Sequence, residues 1–359
     1  MKDRLGHLVG LETPSGDAAR LTAAYDLVSA WFARLGRAPE RVVVDGVPHL
    51  YWAPLSSHSV LLLGHIDTVW PAGTVDRRPF TVTGDRVTGP GVFDMKAGVV
   101  LAAEAVARVA DPSGVAVLLT GDEEVGSVTS RALLERAASG CRAVLVTEPS
   151  LDGDLKTARK GCASYEVTFS GRAAHAGLEP ERGHNALAEM AALVTHCATL
   201  ADRARETTVT PTLAVAGSAL NVVPASARLT LDVRSWDLAE LERVDAAVRG
   251  FRTGDPAVTI EVGGGVNRPP MPVSASAGLA GLAQRLAAGL GLAVPGTVAA
   301  GGASDGNFTA ALGIPTLDGL GAIGGGAHAE SEWVDLPSLE GRAALLTALI
   351  DALHTGGEA

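Results

Sequence analysis

Apolar positions along the chain fall into two kinds of pattern. Apolar runs occur at 60–63, 115–120 and 144–146, with Thr120 at the end of the second the one polar residue. Runs this short and this apolar predict buried strands. Spaced patterns lie between them. Leu21, Ala24, Leu27, Val28, Trp31 and Leu35 recur at helical intervals behind Asp17, which can cap that helix. An Ala/Val-rich stretch predicts a helix to about residue 110. Further helices are predicted at 275–290 and 336–353, and shorter strands at 41–44, 48–53 and 315–317. From about 158 to 265 the pattern changes. Strands are predicted at 163–170, 208–216 and 226–234, with helices at 184–201 and 237–251. The expected fold class is α/β: a central, mostly parallel sheet flanked by helices, built from 1–158 and 268–359. An α+β insertion at 159–267 interrupts it.

Length agrees with two domains, since 359 residues exceed one ordinary domain. The 47% apolar content is enough for a sizeable core. No apolar run approaches the roughly 18 residues of a membrane span. The N-terminus lacks the apolar core of a secretory signal. A net charge of −11 argues against nucleic acid and against an anionic membrane. Cys141, Cys162 and Cys197 are odd in number and have no metal-like spacing. They fit reduced thiols in a cytoplasmic protein.

Candidate chemistry gathers where the predicted strands end, which is where ligands bind in open α/β sheets. His65 and Asp67 follow the run 60–63 after the break at Gly64. In extended backbone the two side chains share one side. His65 could ligate a metal while Asp67 holds its ring. Taken alone, His65 is better read as a hydrogen-bonded loop residue than as a ligand. Asp94 lies in a Gly-rich loop before a helix, and alone it would be a helix cap. Asp122, Glu123 and Glu124 follow the run 115–120, and Glu148 follows 144–146. Consecutive acids repel and are easily tolerated on a solvated surface. At the mouth of a sheet they fit a cation, or a base beside a ligand. Four candidate ligands, His65, Asp94, Glu124 and Glu148, are thus expected at four strand ends.

Taken together these motifs resemble a known family. The ordered set is Gly-His65-Ile-Asp67-Thr-Val, Gly-Pro-Gly-Val-Phe-Asp94-Met-Lys-Ala-Gly, Asp-Glu123-Glu124-Val-Gly, Thr-Glu148-Pro and Ala-His328-Ala-Glu. It resembles the di-zinc aminoacylase/carboxypeptidase family of metallopeptidases over nearly the whole chain. Within that family the match is nearest to its bacterial glutamate carboxypeptidase branch. Thr-Pro-Ser-Gly-Asp17, the His175-Ala-Gly motif, Asn221-Val-Val-Pro and Gly-Gly-Ala-Ser-Asp305-Gly-Asn-Phe carry that likeness.

The resemblance implies two Zn²⁺ per chain, with Co²⁺ or Mn²⁺ as alternatives. His65 and Glu148 would hold one ion, Glu124 and His328 the other, and Asp94 would bridge them. Asp67 would orient His65, and Glu123 would be the general base. A cis peptide would join Asp94 to Met95. The insertion would be a lid with a four-stranded antiparallel sheet and two helices, pairing with its copy in a homodimer. His175 would reach the scissile carbonyl from the partner subunit. Asn221 and Arg234 would hold the free carboxylate of a small-molecule or short-peptide substrate. The implied reaction is hydrolysis of an amide to release an amino acid, with C-terminal glutamate first. The chemistry agrees independently: His and carboxylate ligands suit Zn²⁺. Paired ions can polarise a carbonyl and activate water, and a free Glu can move the proton.

Other readings compete. An acetylornithine-like deacetylase or a desuccinylase would use the same metals. Gly302-Ala-Ser304-Asp-Gly306 matches a serine-hydrolase elbow, with Asp318 and His328 in triad order. A binding protein of the same fold would lack the chemistry, yet every expected ligand and the base are present. His184 and His196 read as surface or packing residues. The sequence leaves open whether Glu330 or Glu332 has a role or is plain surface.

Overall fold

The computed structural model describes residues 1–55 and 60–354. The chain divides into two compact units. The first comprises 1–158, 271–300 and 304–359, and the second 159–270 with 301–303.

The first unit is built on a six-stranded sheet. Its order is Glu40–Val44, Val47–Trp52, Val115–Thr120, Val60–His65, Ala143–Val146 and Thr316–Leu317. The first two strands pair antiparallel, and Val47–Trp52 pairs antiparallel with Val115–Thr120. The remaining pairs are parallel. The three apolar runs are the central strands, buried along their whole length. A parallel strand covered on both faces has no polar face to show, so alternation disappears.

Helices cover the sheet. Ala18–Ala33 begins at Asp17, whose carboxylate accepts the Arg20 N–H. Ala97–Arg108 and Ser338–His354 belong to the main core with Leu62, Leu119 and Leu145. Leu133, Leu134 and Phe308 cover the other face with Leu61 and Leu118. Two smaller sheets were not anticipated. One joins Thr297–Ala300 to Leu155–Arg159, and the other orders Gly324–Gly325, Trp333–Asp335, Arg86–Thr88 and Thr81–Thr83. Their strands are two to five residues long, too short to leave a periodic signature.

The second unit has a four-stranded antiparallel sheet ordered Thr208–Ala216, Ser226–Ser235, Gly161–Ser170 and Thr259–Arg268. Leu229, Leu231 and Val233 alternate with Arg228, Thr230, Asp232 and Arg234. The apolar set packs with Met190, Leu193, Leu241 and Val244 of helices Ala186–Leu200 and Leu238–Gly250. The polar set therefore lines the uncovered face. Among the described residues no helix is long and apolar enough to cross a membrane.

Candidate metal centre

His65 is the last residue of the central strand Val60–His65 and is buried. Its Nδ1 lies 2.9 Å from the Asp67 backbone oxygen. Its Nε2 faces Glu148 Oε1 at 3.3 Å and Asp94 Oδ1 at 3.4 Å. On the far side of Asp94, Oδ2 lies 3.4 Å from His328 Nε2, and that nitrogen lies 3.1 Å from Glu124 Oε2. Asp94 thus turns one oxygen to each histidine. Ligand atoms of His65, Asp94 and Glu124 lie within 4.8 Å of one another, as do those of His65, Glu123 and Glu148.

Asp94 reaches this point by a route unlike the one expected. It does not end a strand of the main sheet. It sits in the turn at Val92–Lys96, after the short strand Arg86–Thr88 of a separate sheet. The Asp94–Met95 peptide is cis. The Met95 sulfur accepts the His65 N–H at 3.3 Å. The following helix comes close to the end of strand Ala143–Val146 because residue 98 is glycine. A Cβ there would lie 2.0 Å from the Thr147 carbonyl oxygen.

Asp67 stands beside the His65 ring. Hydrogen bonding to the His65 ring comes from its backbone oxygen, while its carboxylate stands 3.4 Å from Nδ1. The carboxylate accepts the Glu123 and Glu124 N–H groups, both at 3.2 Å, and the Ser15 hydroxyl at 2.7 Å. Asp67 therefore fixes the short 3₁₀ turn Glu123–Val125 that presents both acids. More support comes from residues given no such role in the sequence reading. Asp305, buried, accepts the Thr120 hydroxyl at 2.9 Å and also the Ser127 hydroxyl. Asp122 accepts the Thr129 N–H and hydroxyl, both at 2.7 Å. Glu332 is fully buried and bonded to the turn that carries Asp94, whereas Glu330 is exposed.

The electrostatics ask for a cation. Burial works against a charge on His65, yet Asp67, Asp94 and Glu148 outweigh it and hold its pKa well above the ordinary value. Asp94 and Glu124 push His328 up to about 10. Burial raises Asp94, but the two histidines overcome this and hold it far below the carboxylate range. Glu124 is raised, first by burial and also by Asp94. Asp94 Oδ1 and Glu124 Oε1 are shielded from solvent without a hydrogen bond. Buried carboxylate oxygens in that state are costly unless something positive meets them. Imidazole and carboxylate donors of this kind fit a divalent ion such as zinc.

The serine-hydrolase elements are arranged otherwise. Ser304 is fully buried, donates to Asp318 Oδ2 at 2.6 Å and accepts the Gly306 N–H. His328 stands with Asp94 and Glu124 instead.

The family model for peptidase family M20/M25/M40 matches residues 61–352. The chain belongs to this family. Carboxypeptidase G2 of Pseudomonas sp. (strain RS-16) is 33% identical over 386 residues, covering 98% of this chain and 89% of that protein. Succinyl-diaminopimelate desuccinylase of Parvibaculum lavamentivorans is 30% identical, covering 67% of each chain. The crystal structure of an M20 family metallo-carboxypeptidase from Sulfolobus solfataricus has the same fold, with a TM-score of 0.76 and 16% identity over 97% of this chain and 98% of that one. As a member of the peptidase M20 family, the chain is a metal-dependent hydrolase acting on amide bonds.

The second unit holds the other candidates. His175 is exposed, bridges to Val222 in the backbone, and accepts the Gly177 and Leu178 N–H groups at Nδ1. Asn221 is exposed. Arg234 is half-buried and already engaged. Its Nε and Nη2 donate to Asp232 at 2.8–3.0 Å. That pairing raises its pKa. Cross-strand register puts Arg234, Cys162 and Arg268 in one row. Arg268 was not singled out in the sequence, because no local motif marks a residue whose neighbour comes from a distant strand.

Proposed function

We propose that this M20 enzyme binds two divalent ions, most simply Zn²⁺, and releases an α-amino acid from an N-acyl or peptide-like substrate. The observation that carries the metal part is Asp94, with one oxygen toward His65 and the other toward His328. His65 and Glu148 would hold one ion, Glu124 and His328 the other, and Asp94 both. Bound ions would polarise the scissile carbonyl and make water more acidic.

The chain's own residues do the rest. Glu123 takes the proton from the attacking water on a carboxylate oxygen and passes it to the leaving amine nitrogen. Its N–H on Asp67 fixes its backbone. Glu123 also stands as near His65 and Glu148 as a ligand would. Glu123→Gln separates the two roles. A base lost means turnover lost with metal kept; a ligand lost means metal lost.

The second unit is read as a lid and dimerisation domain, with boundaries near 159 and 267. Dimerisation is favoured by Leu213 and Val215 of its edge strand, each 68% exposed. In the homodimer His175 would donate to the developing oxyanion from the partner subunit. Asn221 and Arg234 would hold the substrate carboxylate. Asp232 fixes two of the Arg234 nitrogens, which leaves Nη1 for the substrate. Arg268 adds a second cation to the same row.

C-terminal glutamate is the first substrate class to test, on the motifs that resemble the glutamate carboxypeptidase branch, and the likeness to carboxypeptidase G2 over nearly the whole chain supports a carboxypeptidase. Desuccinylation or deacetylation of an amino acid is the second reading, favoured by the likeness to the desuccinylase. Assay of metal-replete protein on N-acyl-glutamates and on N-succinyl or N-acetyl amines decides between them. Hydrolysis confined to the second group would overturn the carboxypeptidase reading.

A further inference from the structure

Glu332 follows the His328 loop and is fully buried. Its carboxylate is saturated with donors. Oε1 accepts the Phe93 N–H at 2.8 Å and the Asp94 N–H at 3.0 Å. Oε2 accepts the Gly91 N–H at 2.9 Å and the Trp70 Nε1–H at 3.0 Å. An ionised carboxylate has about four acceptor sites. All are used here, so Glu332 has none left for an ion.

Three of these donors belong to one turn. Gly91 has φ 70°, a left-handed conformation that glycine adopts without strain. From there the backbone N–H groups of 91, 93 and 94 converge on one anion, as in the concave N–H nests that bind phosphates. Here the anion is supplied by the chain itself. The cost is like charge beside Asp94. A neutral residue would avoid that repulsion but could not accept from all four donors. The gain is geometric: the turn that aims the two Asp94 oxygens is fixed from behind.

We propose that Glu332 is a positioning residue that shapes the 91–94 turn before any metal arrives, so that Asp94 is already set between His65 and His328. The inference rests on the bridging role proposed for Asp94. Glu332→Gln is the direct test. One half of the amide can accept, but its NH₂ half meets two N–H donors. Removing such an outer partner typically weakens metal binding about 10- to 100-fold.

The experiment titrates metal-free parent and Glu332→Gln with Zn²⁺ against a chromophoric chelator and melts both proteins without metal. Weaker binding by the folded variant in that range supports the proposal. Equal affinity overturns it, as does a lower melting temperature with affinity unchanged. If the variant does not fold, deuterium exchange on the metal-free parent decides. Slow exchange at the Gly91, Phe93 and Asp94 amides supports pre-positioning; exchange at the rate of an open loop overturns it. A parent that binds no Zn²⁺ would instead mean that the bridging role itself has failed.

Discussion

The metal centre and the uncovered face of the second unit treat polar groups in opposite ways. At the metal centre His65, Glu123 and Glu148 are buried, Asp94 and Glu124 are half-buried, His328 is exposed, and the acids at 94, 123 and 124 are fixed through their backbones. Glu123 and Glu124 hang from Asp67, and Asp94 from Glu332. Two of their oxygens have no hydrogen-bond donor. On the second unit, Asn221 and His175 are exposed and Arg234 is half-buried, and His175 and Arg234 bond to their own neighbours. Rigid supports with unmet charge mark a place built for an ion. Locally satisfied side chains on an open face mark a place that acts only when a substrate or a second chain comes to it. Loss of a metal ligand should therefore disable the enzyme for every substrate, and loss of a second-unit residue should depend on the substrate.

The largest effect expected is from the base. Glu123→Gln should keep its metal content and lose about 10²–10⁴-fold in kcat. Near-normal kcat would place the base elsewhere and blur the contrast between the two regions. Next comes Arg234→Ala. A hydrogen bond to a charged group is worth about 1.5–3 kcal/mol. KM should therefore rise about 10- to 100-fold for substrates with a free carboxylate, with kcat little changed and with no effect on substrates lacking one. Arg234→Lys should fall between, because it keeps charge and loses the planar fork. An unchanged kcat/KM on all carboxylate substrates would remove Arg234 from recognition.

The smallest effect concerns protons. His328, pushed up to about 10 by Asp94 and Glu124, is protonated at pH 7 in the metal-free chain. Its folded pKa lies above the ordinary value of 6.5, so its pairing stabilises the metal-free fold fully below that value. That contribution is lost as pH rises through about 10. An incoming ion must displace the same proton. Metal affinity should therefore fall as pH is lowered from 8 to 6, with proton release seen by calorimetry in buffers of different ionisation enthalpy. Uptake with no proton release would mean that His328 is not a ligand.

Much of this was legible in the sequence. The central strands were found because apolar runs are what a doubly covered parallel strand requires. The chemistry at 65, 123–124 and 148 followed because each lies just past such a run. Asp94 was legible as a residue, but its route was not. The strand before it has three residues and belongs to another sheet. Glu332 was not legible either, because its partners lie some 240 positions away. An acid in a loop looks like surface until the N–H groups it holds are known. The same holds for Asp305 and for Arg268, whose meaning comes from residues across the fold. The pairing of Arg234 with Asp232 could have been read from the alternation on one strand, since positions two apart share a face.

The central claim is that His65, Asp94, Glu124, Glu148 and His328 together hold a pair of divalent ions. The most direct measurement is metal stoichiometry by elemental analysis on metal-replete, desalted protein, with His65→Ala and His328→Ala measured alongside. The account predicts two ions per chain in the parent and a loss of bound metal in each variant, with the fold retained by circular dichroism. A parent with no bound divalent metal, or variants that keep the full complement, would contradict it.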